Sequence, residues 1–353
     1  MKKKLSLLLC AVLAISCLAG CGSKSNDTSS ADLSDISQAA EGAATPTNPD
    51  QTKVNFTVLS GPTGVGAAWL IDHYSADAAP ASSDFGLVTT IANTNDEVTA
   101  ALINGDTDIA AISTNLAATL SAKTDGNVQV LAVNTLGVLY ILEKGDSVQS
   151  ISDLRGKTLY APSNTKGANP EYILNYLLEQ NDVQPDQVDI QWLTPQEITT
   201  KMTTEDSGIC MLPVPAATAL MLQDSSIRQA ISLSDAWAKL DKGALPMGCV
   251  VARTDFVEQN PEVIQQFLNA YQSSIAFMVE PSNLDEAALL ATQYEITAST
   301  AIAAAAIPQC NLVFVTGEEM KDMLEQYYQV LFQANPASIG GSMPYDSFYY
   351  GVS

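Results

Sequence analysis

Lys53-Val54-Asn55-Phe56-Thr57-Val58-Leu59-Ser60-Gly61-Pro62-Thr63-Gly64-Val65-Gly66 is the stretch whose reading decides the fold class. Val54 to Leu59 alternates and then turns apolar, the pattern of a strand that becomes buried. Ser60 to Gly66 breaks it, and Ala67 to Tyr74 reads as a helix. The glycine spacing is not that of a dinucleotide fingerprint, and no Gly-Lys-Ser/Thr follows to make a P-loop. The same unit recurs downstream. Phe85 to Ile91 reads as a strand, and Asn95 to Asn104 as a helix with Val98, Ala101 and Leu102 on one face. Gly105-Asp106-Thr107-Asp108 turns into strand Ile109–Ile112, and Val128 to Val133 and Val138 to Leu142 read as further strands. Alternating strands and helices predict an α/β lobe with a largely parallel sheet.

The pattern restarts after Gly145. Ser152 to Lys157 leads into a strand at Thr158–Ala161, and the polar loop Pro162–Asn169 opens a helix with Pro170 in its first turn. Val188 to Leu193 is a strand. Thr194-Pro195-Gln196-Glu197 has the spacing of a capping box, and Gly208 to Leu212 ends in Pro213-Val214-Pro215 before helix Ala216–Leu222. A strand at Gly248–Ala252 then precedes Asn260-Pro261, which is expected to cap a long helix. Helices at about 284–294, 298–306 and 317–333 are expected to pack back on the first lobe. The expected division is therefore 53–145 plus 247–353 for one lobe and 148–245 for the other. The chain should cross near Lys144-Gly145-Asp146 and near Pro246-Met247-Gly248. The tail Gly340–Tyr350 is too aromatic to hang free.

Composition narrows the function. The chain has 353 residues, 16 Lys and Arg, 39 Asp and Glu and one His, for a net charge of −23. Such acidity argues against nucleic acid, which needs clustered cations. A lone histidine, His73, argues against a multi-His metal centre and a Ser-His-Asp triad, and reads as a surface or helix-end residue. Asp106 and Asp108 read as turn residues rather than paired catalytic carboxylates. No catalytic, metal or cofactor site is expected.

At the N-terminus, Lys2-Lys3-Lys4 precedes the apolar run Leu5–Leu18 and then Leu18-Ala19-Gly20-Cys21-Gly22. The run is too short to span a bilayer and reads as an export signal over residues 1–20. It looks like the lipobox of bacterial lipoproteins, with Cys21 as the lipidated first residue of the mature chain. Removing residues 1–20 leaves 13 cations against 39 acids, a net charge of −26. Residues 22–52 hold no aromatic residue and read, with Cys21, as a flexible tether reaching roughly 30 Å. The cysteines left, Cys210, Cys249 and Cys310, have no zinc or disulfide-framework spacing and read as small buried hydrophobes, with oxidation of one pair left open.

The body from about 53 to 350 resembles the solute-binding proteins of ABC importers, in the group serving nitrate, sulfonates, taurine and the pyrimidine precursor of thiamine. The resemblance is carried by the Gly61–Gly66 loop, by Gly105-Asp106-Thr107-Asp108-Ile109-Ala110 with Ser113-Thr114-Asn115, by Ile151–Lys157, and by Cys249–Ala252 with Phe256 and Asn260-Pro261. It implies two α/β lobes joined by two crossover strands, with ligand in the cleft between them. It also implies a monomer, anchored by lipid to the outer face of a bacterial cell membrane, handing a small solute to a permease and its ATPase. An enzyme of the pyrimidine-synthase type on the same fold is an alternative. That type carries a Cys-rich motif and a substrate-like His, whereas the cysteines here are scattered. A signalling or adhesion lipoprotein is a further alternative.

In open α/β sheets, ligands sit beyond the carboxyl ends of strands, where helix N-termini offer N–H donors. The loops in that position are Gly61-Pro62-Thr63-Gly64, Ser113-Thr114-Asn115 and Asn134-Thr135 from one lobe, with Ser163-Asn164-Thr165-Lys166 and Pro213 and Pro215 from the other. Each has a plainer reading as a turn or cap, and Lys166 as a solvated lysine. Trp69, Tyr140 and Trp192 read as packing residues. None of these loops carries Asp or Glu, and none carries Arg. A small neutral or singly anionic solute is expected, with Thr63, Ser113, Asn115, Asn134 and Thr165 as direct polar contacts.

Overall fold

The structure is a computed structural model that describes residues 51–352. The export signal, Cys21 and all but the last two residues of the expected tether lie outside the described residues.

Two sheets organise the described chain. The first contains β1 (Thr52–Leu59), β2 (Phe85–Ala92), β3 (Ile109–Ser113), β4 (Val128–Thr135), β10 (Gly248–Arg253) and β11 (Leu312–Val315), in the order β11-β4-β10-β3-β1-β2. The second contains β5 (Leu139–Lys144), β6 (Thr158–Pro162), β7 (Asp189–Leu193), β8 (Gly208–Pro213) and β9 (Ile227–Ser232), in the order β7-β6-β8-β5-β9. Strand β1 is parallel to β2 and β3, while β10 is antiparallel to both β3 and β4. In the second sheet β6 is parallel to β7 and β8, and β5 runs against β8 and β9. In each sheet, then, the strand that arrives by crossing from the other runs backwards.

That arrangement corrects one boundary. Leu139–Lys144 was expected to close the first lobe, yet it pairs along its whole length with β8. The chain changes sheets at Leu136–Val138, ahead of Gly145, because the apolar run Leu139–Leu142 finds its partners in β8 and β9. The return runs through Leu245–Met247 into β10.

Thirteen α-helices lie among the described residues: α1 (Pro62–Val65), α2 (Ala68–Tyr74), α3 (Asn95–Asn104), α4 (Thr114–Lys123), α5 (Asn169–Gln180), α6 (Pro195–Thr204), α7 (Ala216–Gln223), α8 (Leu233–Ala238), α9 (Thr254–Gln259), α10 (Pro261–Val279), α11 (Leu284–Gln293), α12 (Thr300–Ala306) and α13 (Gly317–Ala334). Both faces of the first sheet are covered, which is why Ile109 to Ile112 and Cys249 to Ala252 are all buried and read as unbroken apolar runs. Helix α10 supplies Phe267 and Tyr271, whose rings meet Phe56 of β1 at 5.4 and 6.5 Å. The Thr194–Glu197 capping box is present. Asn260 stands at the N-cap of α10 but makes no side-chain cap; its amide Nδ2 donates backwards to the Phe256 carbonyl at 3.1 Å.

The C-terminal helices do not serve the first sheet alone. Helix α12 meets α7, and α13 lies against both β4 and α5, so the segment after β10 touches both halves. The aromatic tail is docked: Phe348 and Tyr349 are buried, and Tyr349 bridges to Val130 of β4. Cys210, Cys249 and Cys310 are buried free thiols.

Candidate functional site

The carboxyl ends of β1, β2, β3 and β4 and those of β6 and β8 converge on one cavity of about 560 Å³. Its wall on the first-sheet side includes Ser60, Pro62, Thr63, Ser113 and Thr135. Its wall on the second-sheet side includes Asn164, Thr165, Lys166, Asn169 and Pro213, and the crossing residues Val138, Leu139 and Met247 form part of the lining. A similar-sized depression around Gly156, Pro185 and Asp189 lies at the opposite, amino ends of β6 and β7, where no α-helix begins against it.

Two longer helices begin at the cavity without a side-chain cap, as does the four-residue α1. Strand β3 runs straight into α4 through Ser113, whose hydroxyl caps nothing and is buried with no partner. Helix α5 starts after Ala168, which has no side chain able to cap. Side-chain caps are found at α3, α6, α8 and α12, where Thr94, Thr194, Ser232 and Ser299 each accept a backbone N–H. Thr94 also lines the cavity, and α2, α7, α9, α10, α11 and α13 start without such a cap away from it. The first N–H groups of a helix lack intrahelical acceptors and carry partial positive charge. At the two longer starts the Thr114 N–H already bonds the Met247 carbonyl, Pro170 has no N–H and the Glu171 N–H bonds the Ala168 carbonyl. What they offer an oxygen or anion from outside the chain is therefore chiefly the positive end of the helix dipole.

The floor is set by Gly248, which pairs with Ser113 on one side and Thr135 on the other. A Cβ there would stand 2.7 Å from Asn134 Oδ1, 2.8 Å from Thr63 Oγ1 and 2.9 Å from Thr135 Cβ. Only glycine lets these side chains close over the strand. Four buried polar atoms of lining residues have no partner: Asn95 Oδ1, Ser113 Oγ, Thr135 Oγ1 and Asn169 Nδ2. A buried polar group without a partner costs about 1–3 kcal/mol, so this concentration marks a place where something else supplies the bonds.

The expected contacts divide accordingly. Pro62, Thr63, Ser113, Thr135, Asn164, Thr165, Lys166 and Pro213 line the cavity. Gly61, Gly64, Thr114, Asn115, Asn134, Ser163 and Pro215 do not. Asn134 is fully buried behind the wall, and its Nδ2 donates to the Thr63 carbonyl at 3.2 Å and to Tyr271 Oη at 2.8 Å. Burial pushes the Tyr271 phenol up, only partly offset by that amide. Asn134 thus holds Thr63 in place from within. Thr114 Oγ1 donates to the Pro246 carbonyl at 2.8 Å, fastening α4 to the return crossing. Thr165 reaches the cavity, but its hydroxyl donates to the Pro162 carbonyl at 2.6 Å. Gly64 is packed against the Leu59 carbonyl, and Pro215 is the N-cap of α7.

Sequence reasoning missed Asn93, Thr94, Asn95 and Asp96, which line the cavity from the loop between β2 and α3, and Asn169 at the start of α5. Asp96 corrects the expectation of a cleft without carboxylates, although it stands exposed at the rim. The signal was available, since β2 is parallel to β1 and its carboxyl end must open on the same side.

Two mixed α/β sheets with a solute-sized cleft at their carboxyl ends, and a strand crossing in each direction, define the two-lobe periplasmic-binding-protein-like class. The NMT1/THI5-like family profile matches residues 83–283, and the chain belongs to that family. Among solved structures it is similar to an ABC transporter protein from Parabacteroides distasonis, with 22% identity over 85% of this chain and 99% of that one and a TM-score of 0.69. It is similar to the periplasmic aliphatic sulphonate binding protein of Escherichia coli, at 14% identity over 84% and 92% with a TM-score of 0.66. It also resembles the ligand-binding component of an ABC-type import system from Staphylococcus aureus, solved with zinc bound, at 15% identity over 85% and 96% with a TM-score of 0.63. At such identities the likeness is one of fold. No curated protein sequence matches.

Proposed function

We propose that the protein is the solute receptor of an ABC importer, held at the outer face of a cell membrane by lipid on Cys21 and passing its solute to a permease and ATPase. The single observation that carries this reading is the cleft itself: two uncapped helix starts and the unpaired Ser113 Oγ, Thr135 Oγ1 and Asn169 Nδ2 face one solute-sized space. The family and the importer components among its structural neighbours support it.

The solute is small, and neutral or singly anionic. The polar lining is mostly hydroxyls and amides, with one exposed cation, Lys166, and one exposed carboxylate, Asp96. A dianion would call for an arginine clamp, and none lines the cleft. The two sheets belong to lobes that close on the solute, because a ligand touching both walls favours the arrangement that brings them together. Small-angle scattering with ethanesulfonate, nitrate, bicarbonate and an aminopyrimidine in turn tests this. At least one should reduce the radius of gyration. An unchanged radius with a ligand that calorimetry shows to bind would contradict the closure.

A further inference from the structure

Tyr327 and Tyr328 are neighbours on α13, and each holds the first residue of a different helix at the cleft. Tyr328 Oη donates to the carbonyl of Thr114, the first residue of α4, at 2.8 Å. Tyr327 Oη donates to Oδ1 of Asn169, the first residue of α5. Both phenols are fully buried, and burial pushes both well above the ordinary tyrosine range. Trp237 closes over Tyr327 with ring centroids 5.9 Å apart. One turn of α13 thus ties together the two longer uncapped helix starts, one following a strand of the first sheet and the other following a strand of the second.

The consequence falls on Asn169. Its side chain is almost wholly buried, at 2% exposure, yet it lines the cleft. Tyr327 occupies its carbonyl oxygen, which turns the amide so that Nδ2 is the free end, and Nδ2 has no partner among the described residues. An amide nitrogen donates and never accepts. The group that completes it must be an acceptor, and the uncapped N-terminus of α5 favours the same polarity. The Ser113 hydroxyl, unpaired on the other wall, is free to donate as well.

We propose that Asn169 is a ligand-contact residue that donates its Nδ2 proton to an oxyanion of the solute, and that Tyr327 is the positioning residue that sets the amide for it. This rests on the reading of the cleft as a solute site. It narrows that reading to solutes that present an oxyanion to the start of α5. Discrimination arises because a ligand without an acceptor at that point leaves Nδ2 buried and unpaired.

N169D is the decisive substitution. It keeps an acceptor for Tyr327 while replacing the donor by a second acceptor. Burial of the site penalises a carboxylate, so a thermal melt separates a folding loss from a binding loss, and N169A serves as the second variant. Calorimetry with nitrate, ethanesulfonate and bicarbonate, on the wild type, N169D, N169A, Y327F and the N169A/Y327F double variant, tests both residues. The expected result is binding of at least one of these by the wild type and a loss of tenfold or more in N169D. Y327F should lose about fivefold alone and nothing further in the N169A background, because it acts through Asn169. A purely structural tyrosine would cost the same in both backgrounds, and that would overturn its positioning role. N169D binding within about twofold of wild type would overturn the donor role while leaving the receptor reading intact. If the wild type binds none of the three anions, the oxyanion assignment falls with them. Native mass spectrometry of the co-purified solute then decides separately whether the receptor reading survives.

Discussion

Gly248 concentrates the local constraints of the cleft into one atom that is absent. Its neighbours across the sheet are Ser113 and Thr135, and a Cβ would meet Asn134 Oδ1 and Thr63 Oγ1 inside 3 Å. Gly248→Ala should therefore destabilise by about 1–3 kcal/mol through overpacking and weaken solute binding with it; urea denaturation reads the first. Asp108 is the structural counterpart. Its Oδ2 accepts from the Asn55 backbone N–H at 2.9 Å and its Oδ1 from Arg253 at 3.1 Å, tying β1 to β10. The thiols illustrate what burial does to reactivity. It pushes Cys210 and Cys310 up to about 12 and Cys249 higher still. Since the thiolate is the nucleophile, peptide mapping after iodoacetamide at pH 8 should find all three unmodified in the native protein and fully modified in denaturant. Rapid native labelling would contradict their placement.

Among the elements, the turn after β5 shows how the second half is secured. Glu143 is buried beneath the chain and accepts from the backbone N–H groups of Ser147 and Val148, from the Ser147 hydroxyl and from Arg228 of β9. Burial pushes its carboxyl up, but the hydrogen bonds from Ser147, Val148 and Arg228 outweigh it and hold it below the ordinary glutamate value. At the exposed end of the same sheet, Ser226 and Lys144 hold Asp224 down at about 2. Groups lowered on folding lend stability that is present above their unfolded values near 4 and is lost as pH falls through the folded ones. Melting temperature should therefore decline from about pH 4.5 downwards. Glu143→Gln should cost about 2–4 kcal/mol at pH 7, by leaving Arg228 uncompensated, and should flatten that decline. An acid limb unchanged in the variant would count against this role.

Periodicity made most of these elements legible. The strand–loop–helix units at 54–74 and 85–104 stand where alternation and turn residues put them, with Gly61–Gly66 itself containing the short α1. Strand β9 was missed because Arg228 and Gln229 interrupt its apolar run, and β11 because four half-buried residues at a sheet edge carry little pattern. The boundary near residue 145 was misplaced because strand membership is decided by partners far along the chain. In the cleft, loops after strands β1, β3 and β4 were found by position, whereas Asn93–Asp96 looked like an ordinary helix start. Asn134 shows the opposite failure: its type and position suggested a contact, but only the fold reveals that its amide faces Thr63 and Tyr271.

On the scale of the whole molecule, the segment after β10 leaves the first sheet, reaches α5 and α7, and returns through the docked tail. That path makes α13 the brace between the walls of the cleft. Export and anchoring belong to this scale too: Cys21→Ala should abolish incorporation of labelled lipid, and a wild-type chain that takes up none would contradict the anchor. The central claim is that the cleft holds a small solute. Its most direct test is native mass spectrometry of the mature protein, purified without a stripping step and then offered ethanesulfonate, nitrate, bicarbonate and an aminopyrimidine. The expected result is a one-to-one complex, either co-purified or formed with one of the four, that is weakened in Ser113→Ala. A bare mass throughout, with no adduct from the cell and none from the four solutes, would contradict the account.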